Sequence, residues 1–162
     1  MKSRESVLLS AGRILFLQGN TMANICDFDM LVRGKPDDVD TFYRYLTDYD
    51  NSPKYFARIF TAEIDNESVS AEGIKTAKIF GDCAWSVYSC MCEGDYTYYN
   101  DDSEQKLTCL RLATKELNLE VEIRSTESGM GFWEHIHYKD GECLCEDCGD
   151  LPETNFDMED VA

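Results

Sequence analysis

The chain has 162 residues, 43% of them hydrophobic and 12% aromatic, enough for one buried core without a stabilising metal or disulfide. Its 32 acids against 15 bases leave a formal charge of −17, which disfavours direct binding to nucleic-acid phosphate, as does the lack of a basic stripe. No apolar stretch approaches the length of a membrane span.

Residues 1–21 have a basic start and apolar patches, but Arg13 interrupts the apolar run and no small-residue cleavage site follows. Met22 then opens MANICDFDML, which reads like a protein start. The expected organisation is a dispensable, disordered extension over 1–21, one α+β domain over 22–149 and an acidic tail over 150–162. Eight cysteines in a chain with an adequate core and no export signal are read as reduced thiols of a cytoplasmic protein.

From Cys26, CDFDMLVRG alternates as a strand with Phe28, Met30 and Val32 on one face. Gly34 and Pro36 punctuate, and Asp37 and Asp38 sit where a helix N-terminus favours negative charge. Val39, Phe42, Tyr43 and Leu46 mark the apolar face of that helix, which ends at Asn51-Ser52-Pro53. KYFARIFTAEID (54–65) reads as one strand. A second extended run within 72–92 bends at Gly81 and carries Trp85, Val87 and Tyr88 toward its end.

The acidic loop EGDYTYYNDDS leads to a second helix over 103–118, capped by Asp102 or Ser103, with Leu107, Leu110, Ala113, Thr114 and Leu117 as its stripe. LEVEIRSTE and FWEHIHYK are strands joined by SGMG, and Asp140-Gly141 is a two-residue hairpin turn into ECLCED. Helices covering one face of an antiparallel sheet give an α+β, ferredoxin-like βαββαβ sandwich with an appended C-terminal β-hairpin and acidic tail.

The cysteines at C-x-C-x-x-C spacing stand beside two histidines, and hairpin register decides whether they cooperate. With Lys139 opposite Glu142, simple pairing sets Tyr138 against Cys143, His137 against Leu144, Ile136 against Cys145 and His135 against Glu146. Cys143 and Cys145 then join Phe132, Ile136 and Tyr138 in the core, while His135 and His137 face the other way. Neither a metal nor a redox site is expected on that register. Cys90 and Cys92 share the i, i+2 spacing but belong to a strand that is not adjacent, and Cys148 lies beyond the pairing. No G-x-S-x-G, P-loop, Rossmann, H-E-x-x-H or calcium-loop motif occurs.

MANICDFDMLVRGKPDDVDTFYRYL and LNLEVEIRSTESGMGFWEHIHYKDGE resemble the two ends of YubB-type ferredoxin-like proteins of phages, plasmids and other mobile elements. The matching residues are Met22 to Asn24, Gly34, Gly129, Gly131, Phe132, Glu134, His135 and Gly141. The resemblance spans Met22 to roughly Cys145 and implies a fold and a mobile-element setting, with no catalytic residue to carry over. The high cysteine content and the extreme charge depart from the pattern.

Charge and resemblance together lead to an expected non-enzymatic protein, without cofactor or metal, that inhibits a host defence complex by mimicking nucleic acid in a basic groove, in the manner of anti-CRISPR proteins. The partner is a basic nucleic-acid-binding host protein or defence complex; neither nucleic acid nor membrane is bound directly. The candidate contacts are Asp37, Asp38, Asp40, Asp48 and Asp50; Glu93, Asp95, Asp101, Asp102 and Glu104 with the tail; and the aromatics Tyr98 and Tyr99, beside Tyr45, Tyr49 and Tyr96. Two alternatives compete. One is a small metal-binding or enzymatic module using His135, His137 and the C-terminal cysteines; the other is an accessory protein of a mobile element with no inhibitory role.

Overall fold

In the computed structural model the described residues are 24–92 and 106–152. The extension over 1–21, most of the tail, and Glu93, Asp95, Tyr96, Tyr98, Tyr99, Asp101, Asp102 and Glu104 lie outside them.

β1 (Ile25–Gly34) alternates strictly, with Cys26, Phe28, Met30 and Val32 buried and Ile25, Asp27, Asp29, Leu31 and Arg33 exposed. α1 (Pro36–Thr47) follows at once. Pro36 opens it because its missing N–H is an orphan at a helix start anyway, and Lys35 before it is extended, as a residue preceding proline prefers. Asp37 and Asp38 in the first turn complement the helix dipole in place of a side-chain cap. The helix buries Val39, Phe42, Tyr45 and Leu46. Tyr45, read from sequence as an interface aromatic, is therefore a core residue. Tyr43 stands at the edge of that face, its hydroxyl donating to the Ala62 carbonyl at 3.1 Å.

The strand expected over 54–65 is two strands. A turn at Ala57-Arg58, with Arg58 at φ 52°, separates β2 (Lys54–Tyr55) from β3 (Ile59–Val69). β4 (Lys75–Ala84) ends one residue before Trp85, which has φ 70°, and a π-helical turn follows over Tyr88–Cys92. Trp85, Val87 and Tyr88 thus leave the sheet.

The second helix starts later than its periodicity predicts. β5 (Lys106–Leu107) pairs in parallel with β2, and the Thr108 N–H donates to the Tyr55 carbonyl at 2.9 Å, so a backbone ladder claims these residues first. α2 (Leu110–Leu117) keeps the rest of the stripe, buries Leu110, Ala113, Thr114 and Leu117, and ends at Asn118 in the left-handed region.

β6 (Glu120–Glu127), β7 (Phe132–Lys139) and β8 (Glu142–Asp150) complete a six-stranded antiparallel sheet in the order β3-β4-β1-β6-β7-β8. The molecule is α+β, with both helices packed on one face, and the sheet is compatible with a ferredoxin-like fold. Between β7 and β8, Asp140 (φ 50°) and Gly141 (φ 88°) form a tight turn with two positive φ angles, as the Asp-Gly pair predicts. The core lies between helices and sheet. Phe42 packs edge-on against Phe56 at 5.3 Å between centroids, and burying a side chain of that size contributes about 1.5–3 kcal/mol.

Among the described residues no helix is long and apolar enough to cross a membrane.

Candidate functional site

The helices cover one sheet face, and among the described residues no element covers the other. The period of two places Ile25, Asp27, Asp29, Leu31 and Arg33 of β1 on that open face, beside Lys78, Phe80 and Asp82 of β4. On the other side of β1 stand Glu120, Glu122, Arg124 and Thr126 of β6, and then Trp133, His135 and His137 of β7.

Sequence reasoning expected Cys143 and Cys145 in the core, and the structure overturns this. Tyr138 does pair with Cys143, but a β-bulge at Leu144 intervenes, and His137 then pairs with Cys145, Ile136 with Glu146, His135 with Asp147 and Glu134 with Cys148. One inserted residue reverses every later side chain. Cys145 and Asp147 join the histidines on the open face, and Glu146 turns to the helix side, where the Tyr138 hydroxyl donates to its carboxylate. Cys143 is exposed and Cys145 half-buried.

The histidines are held by β6. His135 Nε2 lies 2.8 Å from Glu122 Oε1, and His137 Nε2 lies 3.0 Å from Glu120 Oε1. An ionised carboxylate only accepts hydrogen bonds, so Nε2 is the donor in each pair. For Glu122 the His135 hydrogen bond is the largest influence and holds the carboxyl below its ordinary range against partial burial. For Glu120 burial is the largest single effect and pushes the carboxyl up, but His137, Lys139 and Arg33 together outweigh it and leave it lowered. Cys145 Sγ stands 3.7 Å from His135 Nδ1 and 3.6 Å from the His135 carbonyl oxygen. Sequence reasoning missed these pairs. The signal was present, because Glu120/Glu122 and His135/His137 share the i, i+2 spacing on strands joined by a short turn.

At the middle of the open face lies a cleft of about 550 Å³, lined by Asp27, Asp29, Phe80, Arg124, Trp133 and His135 among others. Asp27 and Asp29 sit roughly 7 Å apart along β1. Asp82 stands directly across from Asp27 on β4. Like charges directly opposite are unfavourable in a sheet. The Thr61 hydroxyl relieves part of that cost by donating to Asp82 at 2.6 Å, and none of the three carboxylates is in an ion pair among the described residues.

The acids singled out from sequence do not form one row. Asp37, Asp38 and Asp40 lie at the start of α1 and Asp48 and Asp50 beyond its end; ten helical residues span about 15 Å. Asp40 is neutralised by Lys75 at 2.7 Å, and Lys75 also holds Glu67 at 2.8 Å. Asp48 accepts the Asn51 backbone N–H at 3.3 Å and its side-chain amide at 3.0 Å, a local turn contact. Asp37 and Asp50 are exposed and Asp38 is half-buried.

The remaining polar residues on the helix side hold structure together. Glu134, buried, accepts the Ser125 hydroxyl at 2.6 Å and the backbone N–H groups of Val87 and Tyr88 at 2.8 and 3.1 Å, with the Cys26 thiol at 3.8 Å. It ties β7 to the segment leading into the π-helical turn. Cys26 pairs with Cys83 across β1 and β4, and both are wholly buried together with Cys90. Among the described residues no group of three His, Cys, Asp or Glu side chains stands in metal-binding geometry.

Comparison of the chain with protein-family models, with curated proteins and with solved structures yields no match.

Proposed function

We propose that the protein is a binding module that docks a basic, nucleic-acid-binding protein through its open sheet face and competes with nucleic acid for it. The proposal takes β1, α1, β3, β4, α2 and β6 as a ferredoxin-like βαββαβ unit, with β7 and β8 as the appended hairpin. The observation that carries it is the cleft, where the carboxylates of Asp27 and Asp29, without an ion-pair partner among the described residues, meet the aromatic walls of Phe80 and Trp133. Carboxylates over an aromatic floor suit a guanidinium, which pairs with one and stacks on the other. A charge of −17 adds long-range attraction for a basic surface.

The resemblance to mobile-element proteins supplies the setting: the basic partner is a host defence complex, and occupation of its nucleic-acid groove inhibits it. The contact surface is therefore the open face rather than the acids in and after α1, of which Asp40 and Asp48 already have local partners. It requires no catalytic group, cofactor or metal.

The test is calorimetric titration with arginine-rich and lysine-rich peptides of equal length. The arginine peptide should bind more tightly, and affinity should fall steeply with salt. The Asp27→Asn/Asp29→Asn variant should lose about tenfold in affinity or more, the equivalent of 1.4 kcal/mol. Equal binding of both peptides, or indifference to salt and to the variant, contradicts the proposal.

A further inference from the structure

Beside the docking cleft, and sharing His135 with its lining, stands a reactive cluster of the open face. Cys145, His135 and Glu122 stand in series: Sγ is 3.7 Å from Nδ1, and Nε2 is 2.8 Å from Oε1. A nucleophile beside a base that a third group orients is the arrangement that activates side chains for attack. Glu122 fixes the tautomer here. Because its carboxylate accepts from Nε2–H, a neutral His135 ring presents its free lone pair, on Nδ1, to the thiol.

We propose that Cys145 is a site of reversible mixed-disulfide formation, with His135 as its base and small neutral or cationic disulfides as its ligands. Sγ attacks one sulfur of the ligand; the new Sγ–S bond forms as the ligand's S–S bond breaks. The thiol proton passes to Nδ1 and from there to the departing sulfur, which leaves as a thiol. The ligand disulfide is the only oxidant, and the balance closes without another reagent. A sulfur electrophile suits the site because the negative charge develops on the leaving sulfur, which the imidazolium protonates directly, so no oxyanion-binding group is required.

Ligand charge follows from the surroundings. On this face stand Glu120, Glu122, Glu142 and Asp147, the last opposite His135, against Arg33, Arg124 and Lys139. The excess of carboxylates repels an anionic disulfide. Cys143 and Cys148, on the same strand, are more exposed than Cys145 yet have no imidazole within hydrogen-bond reach among the described residues. They are built-in controls.

The experiment exposes the fully reduced chain to cystamine, a cationic disulfide, at neutral pH, and follows occupancy of each cysteine by peptide mass mapping. Cys145 should react about tenfold faster than Cys143 and Cys148 or more, within the range a general base supplies. His135→Gln should bring Cys145 down to the rate of the two controls, and Glu122→Gln should lower it in part. Anionic glutathione disulfide should react more slowly than cystamine, with a gap that narrows as salt rises. Reaction in order of exposure, with Cys143 and Cys148 ahead, overturns the proposal, and so does a Cys145 rate unchanged by His135→Gln. The comparison within the unmodified protein stands even if a variant fails to fold.

Discussion

Tyr138 and Glu146 face each other on the helix side of the β7–β8 hairpin, the phenol hydroxyl donating to the carboxylate. Plain pairing from the Asp140-Gly141 turn would put Cys145, not Glu146, on this side. The bulge at Leu144 brings the carboxylate over the phenol, and Leu144 itself stays exposed. Tyr138→Phe should therefore cost about 1 kcal/mol in chemical denaturation, as expected for one hydrogen bond whose acceptor, Glu146, is exposed to solvent. An unchanged midpoint would show that the contact contributes nothing to stability.

Glu134 offers a larger effect. Its carboxylate receives two backbone N–H groups and a serine hydroxyl in a buried setting, so Glu134→Ala strands several donors at once. A loss of about 3 kcal/mol is expected, with Glu134→Gln milder because one acceptor oxygen remains. Hydrogen exchange should localise the damage. The amides of Val87 and Tyr88 should exchange faster in Glu134→Ala, while those in the middle of β1 keep the protection of global unfolding. Uniform acceleration would mean that Glu134 only fills space.

These two residues mark how far the sequence could be read. Alternation made β1, β6 and β7 legible, and the Asp-Gly pair made the hairpin turn legible, because each signal is local. The bulge was hidden, since an extra residue leaves no compositional mark and its effect appears only in the partner strand. The late start of α2 was hidden for a related reason: Leu107 fits the helical stripe, and only the distant partner strand at Lys54–Tyr55 makes Lys106 and Leu107 extended. Tyr45 was misplaced because its neighbour Tyr43 fits the apolar spacing equally well. The acids in and after α1 drew notice as a cluster, yet Asp40 and Asp48 have partners, whereas Asp27 and Asp29, alternating with core residues, point to solvent with no ion-pair partner among the described residues.

Acid should weaken the β6–β7 pairing. Glu120 and Glu122 both have carboxyls held below the ordinary value of 4.5 in the folded state, facing His135, His137, Lys139, Arg33 and Arg124. A lowered folded value favours the native state above the unfolded value, and that contribution is lost as pH falls through the folded one. Stability measured against denaturant should therefore decline below pH 4.5, and Glu120→Gln/Glu122→Gln should decline less over the same interval. A steeper decline in the variant would contradict the assignment.

In the proposed function the open sheet face, rather than the acidic start of α1, receives a basic partner. Amide and Trp133 indole NMR shifts of the labelled chain, followed during titration with an arginine-rich peptide, test it directly. Saturable shifts should centre on Asp27, Asp29, Phe80, Arg124 and Trp133, with little change at Asp37, Asp38 and Asp40. Shifts concentrated at the start of α1, with the open face silent, would contradict it.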